Sequence, residues 1–129
     1  MGEAGERGTL VLQTIAMPAD TNASGDIFGG WLMAQMDLGA SVVARTRARG
    51  RTVTVAVEGM AFHRPVHVGD LVSIYAELVG TGATSMTIGL EVWASRRLSD
   101  ERVKVTHATF VFVAVDEHGA KRALPPTGD

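Results

Sequence analysis

The sequence predicts an α+β fold in which an antiparallel sheet of about five strands surrounds one long helix. Residues 28–47 have the length of a helix and are apolar on almost every side, which is typical of a helix buried by neighbouring elements. A short strand-like stretch precedes this helix, and longer ones follow it, joined by short polar or glycine-containing turns. Such short connections favour antiparallel neighbours, because a parallel pair needs a long crossover.

The predicted elements follow the chain in order. A first strand at Thr9–Ala16 ends before Pro18, because proline cannot extend a central ladder. The helix is expected from about Phe28 to about Arg47, with Gly50 as its C′ residue. The later strands are predicted at Thr52–Phe62, Leu71–Val79, Thr84–Ser95 and Arg102–Val115. We expect residues 1–8 to be a disordered leader, 9–116 a single domain and 117–129 a polar tail.

Alternation within the strands predicts which side chains share a face. In the second strand, Val53, Val55 and Val57 are expected on one face. In the fourth strand the residues expected to point inward are Met86, Ile88, Leu90 and Val92. The last strand is apolar on both faces from Ala108 onward, which predicts a central position in the sheet.

Composition excludes several classes of protein. A chain of 129 residues, 46% hydrophobic and 20% charged, is large enough for one globular domain with its own core. The absence of cysteine excludes disulfides, thiolate metal sites and a cysteine nucleophile, and it favours a reducing compartment. A net charge of −2 does not indicate nucleic-acid binding. The polar first residues do not resemble a signal peptide, and no apolar run is long enough to span a bilayer, so we expect a cytoplasmic protein without membrane insertion.

The stretch DTNASGDIFGGWLMAQMD, residues 20–37, carries the strongest sign of a functional site. Its first half is rich in turn-forming residues, and its second half begins the helix. Asp26 precedes Gly29 and Gly30 closely, so a carboxylate lies beside backbone N–H groups that can receive developing negative charge. Asp26 is therefore a candidate base or nucleophile. It is equally a candidate helix N-cap, since aspartate is favoured there.

Two further polar residues belong to this region. Asn22 can position Asp26 or a water molecule, or it can simply stabilise the loop as an Asx turn. Gln35 lies with Asp37 on the apolar helix, where unpaired polar groups are costly, so both are expected to form hydrogen bonds. Gln35 is also a candidate to hold a reacting water molecule.

Other common site signatures are absent from the sequence. The four histidines, at positions 63, 67, 107 and 118, are dispersed and have no acidic or cysteine partners at ligand spacing, so no metal site is predicted. The glycines near the helix do not have the spacing of a dinucleotide-binding motif or a P-loop. No Gly-x-Ser-x-Gly motif occurs, which removes the usual serine hydrolase signature.

Several of these motifs together resemble the YciA-like acyl-CoA thioester hydrolases, which have the hotdog fold. The resemblance covers roughly residues 10–125 and is most specific in Gly25-Asp26-Ile27-Phe28-Gly29-Gly30-Trp31. The other matching pieces are Met17-Pro18-Ala19-Asp20-Thr21-Asn22, Val53-Thr54-Val55-Ala56-Val57, Phe62 with Arg64-Pro65, Val68-Gly69-Asp70 and residues 110–116. The chain departs from the family pattern at Glu58, where asparagine is frequent, and at Ser24, where asparagine is also common.

The resemblance implies an enzyme that hydrolyses acyl-CoA to a free carboxylic acid and CoA. Asp26 would act as general base or nucleophile, and Gly29 and Gly30 would supply the oxyanion hole. No metal or redox cofactor is implied, because coenzyme A is itself part of the substrate and product.

The same resemblance implies a set of substrate contacts. Residues on the second strand are expected to line the acyl tunnel, namely Val57, Glu58, Met60 and Phe62. Because CoA carries several phosphate charges, His63 and Arg64 at the end of that strand are expected to contact it. Gly82 and Ser85, at the hairpin between the third and fourth strands, are expected to contact it as well. Arg64 can equally be an ordinary solvated cation, and Arg96, Arg97 and Lys104 are expected to be ordinary surface charges.

Assembly and rival functions complete the expectations. Similar subunits form homodimers by joining their sheets, with active sites at the interface, and three such dimers often form a hexamer. A monomer would leave sheet edges exposed, which also argues for at least a dimer. One alternative is a hotdog acyl-thioester hydratase or dehydratase, although such enzymes typically pair a histidine with an acid and no histidine is expected near Asp26. Another alternative is a non-catalytic CoA-sensing module.

Overall fold

The computed structural model describes residues 7–127 and contains one antiparallel sheet and one long helix. The strands are β1 (Thr9–Ile15), β2 (Thr52–Phe62), β3 (Leu71–Thr81), β4 (Ser85–Ser95) and β5 (Arg102–Ala114), and the helix α1 spans Gly29–Ala48. A short 3-10 turn at Pro18–Asp20 follows β1. The predicted α+β architecture is confirmed. Most of the predicted leader, residues 1–6, lies outside the described residues.

The five strands lie in the order β1-β3-β4-β5-β2, and every neighbouring pair is antiparallel. β5 lies between β4 and β2, so its predicted interior position is confirmed. β1 and β2 form the two edges of the sheet. The edge strand β2 comes directly after the helix in sequence.

The core forms between one face of α1 and one face of the sheet. Side chains spaced four residues apart along α1 are buried: Leu32, Met36, Ala40, Ala44 and Ala48. They join a cluster with the inward-pointing residues of β4 and with Phe110 and Phe112 of β5. Met86, Ile88, Leu90 and Val92 are at most 3% exposed, so the predicted alternation of β4 is confirmed.

The opposite face of α1 is not covered within one chain. Met33, Leu38 and Val42 are 39%, 59% and 46% exposed, although all three are large apolar residues. The helix is apolar almost all round, but this sheet covers only one side of it, so its predicted burial on every side is not reached in a single subunit.

A β-bulge changes the predicted faces of β2. Val53 pairs with Val113, whereas Val57 pairs with Phe110, and the register shifts between Thr54 and Ala56. Directly paired residues share a face, and residues three apart on β5 lie on opposite faces. Val53 and Val57 therefore lie on opposite faces, and the prediction that they share one was wrong, because a bulge adds one residue and reverses the alternation.

The helix ends differently from the prediction. α1 stops at Ala48, and Arg49 adopts the left-handed conformation with φ of 53°, whereas Gly50 does not have a positive φ. An added Cβ at Gly50 would lie 2.8 Å from Nη2 of Arg122. The absence of a side chain at Gly50 therefore makes room for the Arg122 guanidinium, and Gly50 does not serve as the left-handed residue that ends the helix.

Residues 121–125 pack back onto the domain. Arg47 donates a hydrogen bond to the Pro125 carbonyl at 2.7 Å, and the Leu124 amide donates to the Ala83 carbonyl at 2.9 Å. Leu124 is half-buried against the core. This segment therefore closes the end of the molecule that holds the C-terminus of α1 and the β3–β4 hairpin.

Candidate active site

A cleft of about 420 Å³ opens between the N-terminus of α1 and the segment that follows β2. Ile27, Phe28, Gly29 and Leu32 form one wall. Residues 62–66 and Val105 form the other. The structure therefore brings together four of the predicted site residues, Gly29, Phe62, His63 and Arg64, from two parts of the chain that are more than thirty positions apart.

The loop that precedes the cleft is organised by Asn22. Its Oδ1 atom accepts hydrogen bonds from the Ser24 amide at 2.9 Å and from the Asp26 amide at 3.1 Å. The Asn22 amide in turn donates to the Asp26 carbonyl at 2.7 Å. These bonds are those of an Asx turn, which was one of the two roles predicted for Asn22. The loop thereby holds residue 26 at the entrance to the helix.

Asp26 does not cap the helix. The N-cap residue is Phe28, and no side chain supplies a cap hydrogen bond there. The Asp26 carboxylate is exposed, and no hydrogen bond or ion pair joins it to any residue in the range 7–127. Of the two roles that the sequence left open, N-capping is therefore wrong. Asp26 immediately precedes Ile27, whose side chain lines the cleft.

The first two amides of α1 have no acceptor among the described residues, and the first of them belongs to Gly29, which lines the cleft. The N–H groups of Gly29 and Gly30 are at the first two helical positions, where the helix offers no acceptor, and neither is bonded within the described chain. The Trp31 amide differs, because it donates to the Phe28 carbonyl at 3.1 Å. The free donors at this helix end are therefore those of the two glycines.

Gly29 also determines how closely the two walls approach. An added Cβ at Gly29 would lie 3.2 Å from Cζ of Phe62, tighter than ordinary van der Waals contact. Any larger residue at position 29 would push against the ring on the opposite wall. The glycine therefore keeps the cleft open beside the free amides.

The opposite wall is anchored on β5. The backbone amides of His63 and Arg64 both donate to the Val105 carbonyl, at 2.7 and 3.4 Å. The His63 ring stacks on His107 with centroids 5.1 Å apart, and its Nε2 lies 3.2 Å from Nδ1 of His107. His63 lines the cleft, whereas Asp26 is not among its lining residues, so the expectation that no histidine lies near the candidate acid stays a prediction.

The predicted β2 residues divide between the two faces of the sheet. Val57 pairs with Phe110 and shares its core face, whereas Glu58 pairs with Thr109 on the outer face. Met60 is half-buried against the core, and Phe62 lines the cleft. Within one chain, Glu58 therefore faces away from the side that holds Val57.

Gln35 lies on α1 outside the cleft. It is half-buried, about 9 Å along the helix axis from Gly29, and makes no hydrogen bond to another described residue. Its neighbour Asp37 behaves as predicted, because Oδ1 of Asp37 accepts a 2.6 Å hydrogen bond from the Thr54 hydroxyl. That bond ties the helix to the edge strand β2.

Gly82 and Ser85 lie at the other end of the sheet. Ser85 pairs with Val113, while Phe62 pairs with Thr106, so seven residues of β5 separate the hairpin from the cleft. At about 3.4 Å per residue this separation is about 24 Å. The structure does not bring these two residues to the cleft of the same chain.

One pair that matters to the cleft was missed from the sequence. Arg96 was expected to be an ordinary surface charge, yet its side chain is only 13% exposed and forms an ion pair with Asp70, whose side chain is 2% exposed. Nothing local in the sequence signals this contact, because the partners belong to different loops. Lys104 likewise pairs with Glu91, with 3.5 Å between Nζ and Oε2.

Two kinds of feature are absent from residues 7–127. No group of three or more histidine, cysteine or acidic side chains is arranged to hold a metal ion. No helix in that range is long and apolar enough to cross a membrane.

Comparisons with known proteins show the family of this chain. The family model of the thioesterase superfamily matches residues 24–99. The acyl-CoA thioester hydrolase YciA of Salmonella typhimurium is 56% identical over 125 residues, which cover 95% of this chain and 94% of that protein. A hexameric thioesterase from Yersinia pestis is similar in structure, with a TM-score of 0.89 and 54% identity over 93% of this chain and 98% of that one.

A second solved structure carries a more specific description. It is a hexameric broad specificity acyl-coenzyme A thioesterase, with a TM-score of 0.89 and 50% identity over 93% of this chain and 83% of that one. Structural neighbours of this kind have the hotdog fold that the sequence predicted. The chain belongs to the thioesterase superfamily and, within it, to the YciA-like acyl-CoA thioester hydrolases.

Proposed function

We propose that this protein hydrolyses acyl-CoA to a free carboxylic acid and CoA in the cleft beside α1. One observation carries the proposal: an exposed, non-capping carboxylate, Asp26, precedes by three and four residues two amides without acceptors among the described residues, those of Gly29 and Gly30. Thioester hydrolysis needs a base or nucleophile near the carbonyl carbon and donors for the developing oxyanion. The named activity of the YciA relatives supports the same reaction.

In the proposed reaction, the thioester oxygen accepts hydrogen bonds from Gly29 and Gly30. Asp26 takes a proton from water as the hydroxyl oxygen bonds to the carbonyl carbon. The C–S bond then breaks, and the CoA sulfur leaves with the proton that Asp26 received. The alternative is that a carboxylate oxygen of Asp26 attacks the carbonyl carbon directly, expels CoA as the C–S bond breaks, and forms a mixed anhydride that water hydrolyses.

The cleft walls favour an apolar acyl group. Phe28, Leu32 and Val66 present hydrocarbon and no polar group that would distinguish one aliphatic chain from another. His63 and Arg64 lie on the same wall and can meet the phosphates of CoA, since Arg64 offers a fixed fork of donors. We therefore propose a range of aliphatic acyl-CoA substrates, in keeping with the broad specificity reported for one similar enzyme.

We further propose that two copies pair through the β2 edges and the uncovered face of α1. Val55 on β2 and Leu38 on α1 are 54% and 59% exposed, and an antiparallel edge strand is complementary to its own two-fold copy. The hexameric state of similar thioesterases supports self-association, which we propose to be a trimer of such dimers.

This pairing also brings the β3–β4 hairpin, with Gly82 and Ser85, toward the cleft of the second subunit. Antiparallel pairing sets the start of one β2 beside the end of the other. The start of β2, at Thr52, lies at the same end of the sheet as Ser85, because they pair with neighbouring residues of β5. Gly82 and Ser85 of one subunit would then approach the cleft of the other, where they can contact CoA.

The reaction is tested by following free thiol release from a panel of acyl-CoA thioesters of increasing chain length. Release of CoA together with the matching carboxylic acid supports the proposal. Because His63 lines the cleft, the same panel should include an enoyl-CoA, and hydration of its double bond without thiol release would indicate the hydratase alternative instead. Calorimetric binding of CoA without any turnover would indicate a sensing module.

A further inference from the structure

We propose that Arg96 and Asp70 are positioning residues that hold the outer wall of the cleft at its working distance from α1. The proposal rests on the proposed function, because it assigns these residues to substrate binding in the same cleft. Neither residue lines the cleft, so both act through the segment 63–70, which carries His63, Arg64, Pro65 and Val66.

The contacts converge on one nitrogen. Nη1 of Arg96 donates to the carbonyl oxygen of Pro65 at 3.2 Å and also to Oδ2 of Asp70. The same Oδ2 accepts a 2.7 Å hydrogen bond from the His67 amide. A wall residue, Pro65, is therefore linked through one guanidinium to a carboxylate that also closes the turn at residues 67–70.

The surroundings make this link firm. The side chains of Arg96 and Asp70 are 13% and 2% exposed, so water competes weakly for either charge. The backbone of the same turn is bonded to the end of β1, since the Ala16 amide donates to the Asp70 carbonyl and the Gly69 amide donates to the Ala16 carbonyl, at 3.1 and 2.8 Å. The position of Asp70 is thus fixed, and Arg96 holds the Pro65 carbonyl in place relative to Asp70.

The burial of the Arg96–Asp70 ion pair explains why its loss affects the position of the cleft wall as well as folding. A buried carboxylate that loses its cation becomes uncompensated, and the nearby backbone rearranges or admits water. Residues 63–66 then lose the hydrogen bond from Arg96 to the Pro65 carbonyl and keep the bonds of the His63 and Arg64 amides to the Val105 carbonyl. Displacement of a binding wall by about 1 Å is enough to weaken the binding of a substrate that lies against it.

The experiment compares Asp70→Asn, Arg96→Gln, the double variant and Arg96→Lys with wild type. Glu101→Gln is the matched control: Oε1 of Glu101 lies 3.8 Å from Nε of the same guanidinium, its side chain is 58% exposed, and it makes no hydrogen bond or ion pair with residues 63–70. Lysine is one bond shorter than arginine, so it cannot replace both contacts of Nη1. For each folded variant, KM and kcat are measured with one acyl-CoA, and backbone hydrogen exchange is measured over residues 63–70 and over β4.

We expect Asp70→Asn, Arg96→Gln and Arg96→Lys each to raise KM about tenfold with kcat changed by less than about twofold. The reason is that the cleft wall moves while Asp26 and the amides of Gly29 and Gly30 do not. Exchange should rise at residues 63–70 and stay unchanged in β4. The double variant should raise KM no further than either neutral single variant, and Glu101→Gln should match wild type. Arg96→Lys keeps the charge and serves if the neutral variants do not fold.

An unchanged KM in any folded Arg96 variant, or an equal rise in KM for Glu101→Gln, would overturn the positioning role. Absence of thioester hydrolysis by wild type is a different result, which refutes the proposed function. In that case the dissociation constant of CoA replaces KM in the same comparison, and a wild type that binds no CoA refutes both proposals.

Discussion

Oδ1 of Asn22 accepts a hydrogen bond from the amide of Asp26 at 3.1 Å, so the asparagine holds the backbone of the candidate catalytic acid and not its carboxylate. The carboxylate is left exposed and is not engaged by the helix. A carboxylate that accepts an N-cap hydrogen bond would have to break that bond before it could act as a base. Here the loop is stabilised by one residue, and the neighbouring acid remains available for chemistry.

Asp26→Asn should lower kcat by about a hundredfold or more, the scale expected when a general base or nucleophile is removed. Thermal stability should hardly change, because the carboxylate makes no cap bond and no ion pair with the described residues. Thiol-release kinetics and a thermal melt check the two statements. The control is Asp20→Asn in the same loop, whose Oδ2 accepts from the Met17 amide and which should keep kcat. Equal activity of both variants would remove Asp26 from the mechanism.

Asn22→Ala removes the acceptor shared by the Ser24 and Asp26 amides. We expect kcat to fall about tenfold because the acid is less well positioned. The free energy of unfolding should fall by about 1 kcal/mol, since both amides can still bond to water. Asn22→Asp keeps the oxygen acceptor and should retain most of kcat. If kcat falls as far in Asn22→Asp as in Asn22→Ala, the side-chain NH2 of Asn22 is the functional group. Acceptance of the Ser24 and Asp26 amides would then not explain the role of this residue.

Gly29→Ala should separate activity from stability. The new Cβ would lie 3.2 Å from Cζ of Phe62 and narrow the cleft, so kcat/KM should fall about tenfold. Stability should be equal or slightly higher, since alanine is favoured over glycine in a helix by about 1 kcal/mol. Gly80→Ala, where an added Cβ meets nothing within 4 Å, is the matched control. A comparable loss of kcat/KM in the control would show that cleft width is not the cause.

Leu38→Glu should weaken self-association by placing a charge on the uncovered face of α1. Leu38 is 59% exposed in one chain, and a buried unpaired carboxylate at a subunit interface is strongly unfavourable. Sedimentation velocity should show smaller species than for wild type. Leu98→Glu is the control, because Leu98 is 81% exposed on the β4–β5 hairpin, away from that face. An unchanged sedimentation coefficient for Leu38→Glu would place the interface elsewhere.

Local sequence patterns predicted most of the secondary structure. The helix follows from the length and the apolar character of residues 28–47, and the strands follow from shorter apolar stretches between turns, of which β4 alternates as its sequence requires. The functional loop was also recognisable, because turn-forming residues, an acid and two glycines meet at a helix start. Two details failed for the same reason: the bulge at Val55 depends on the pairing of β2 with β5, and the close approach at Gly50 depends on Arg122, neither of which lies in a local window of sequence.

The sequence by itself determined the α+β architecture, the position of α1 along the chain and the placement of Asp26 just before two glycines. Only the tertiary structure decided that Asp26 is not a cap, that residues 27–32 and 62–66 form one cleft, that Glu58 faces away from Val57, and that Arg96 is held against Asp70. Periodicity and turn chemistry are properties of a few consecutive residues. Cleft walls, sheet register and buried ion pairs join residues far apart in the chain, and sheet pairing sets their distances.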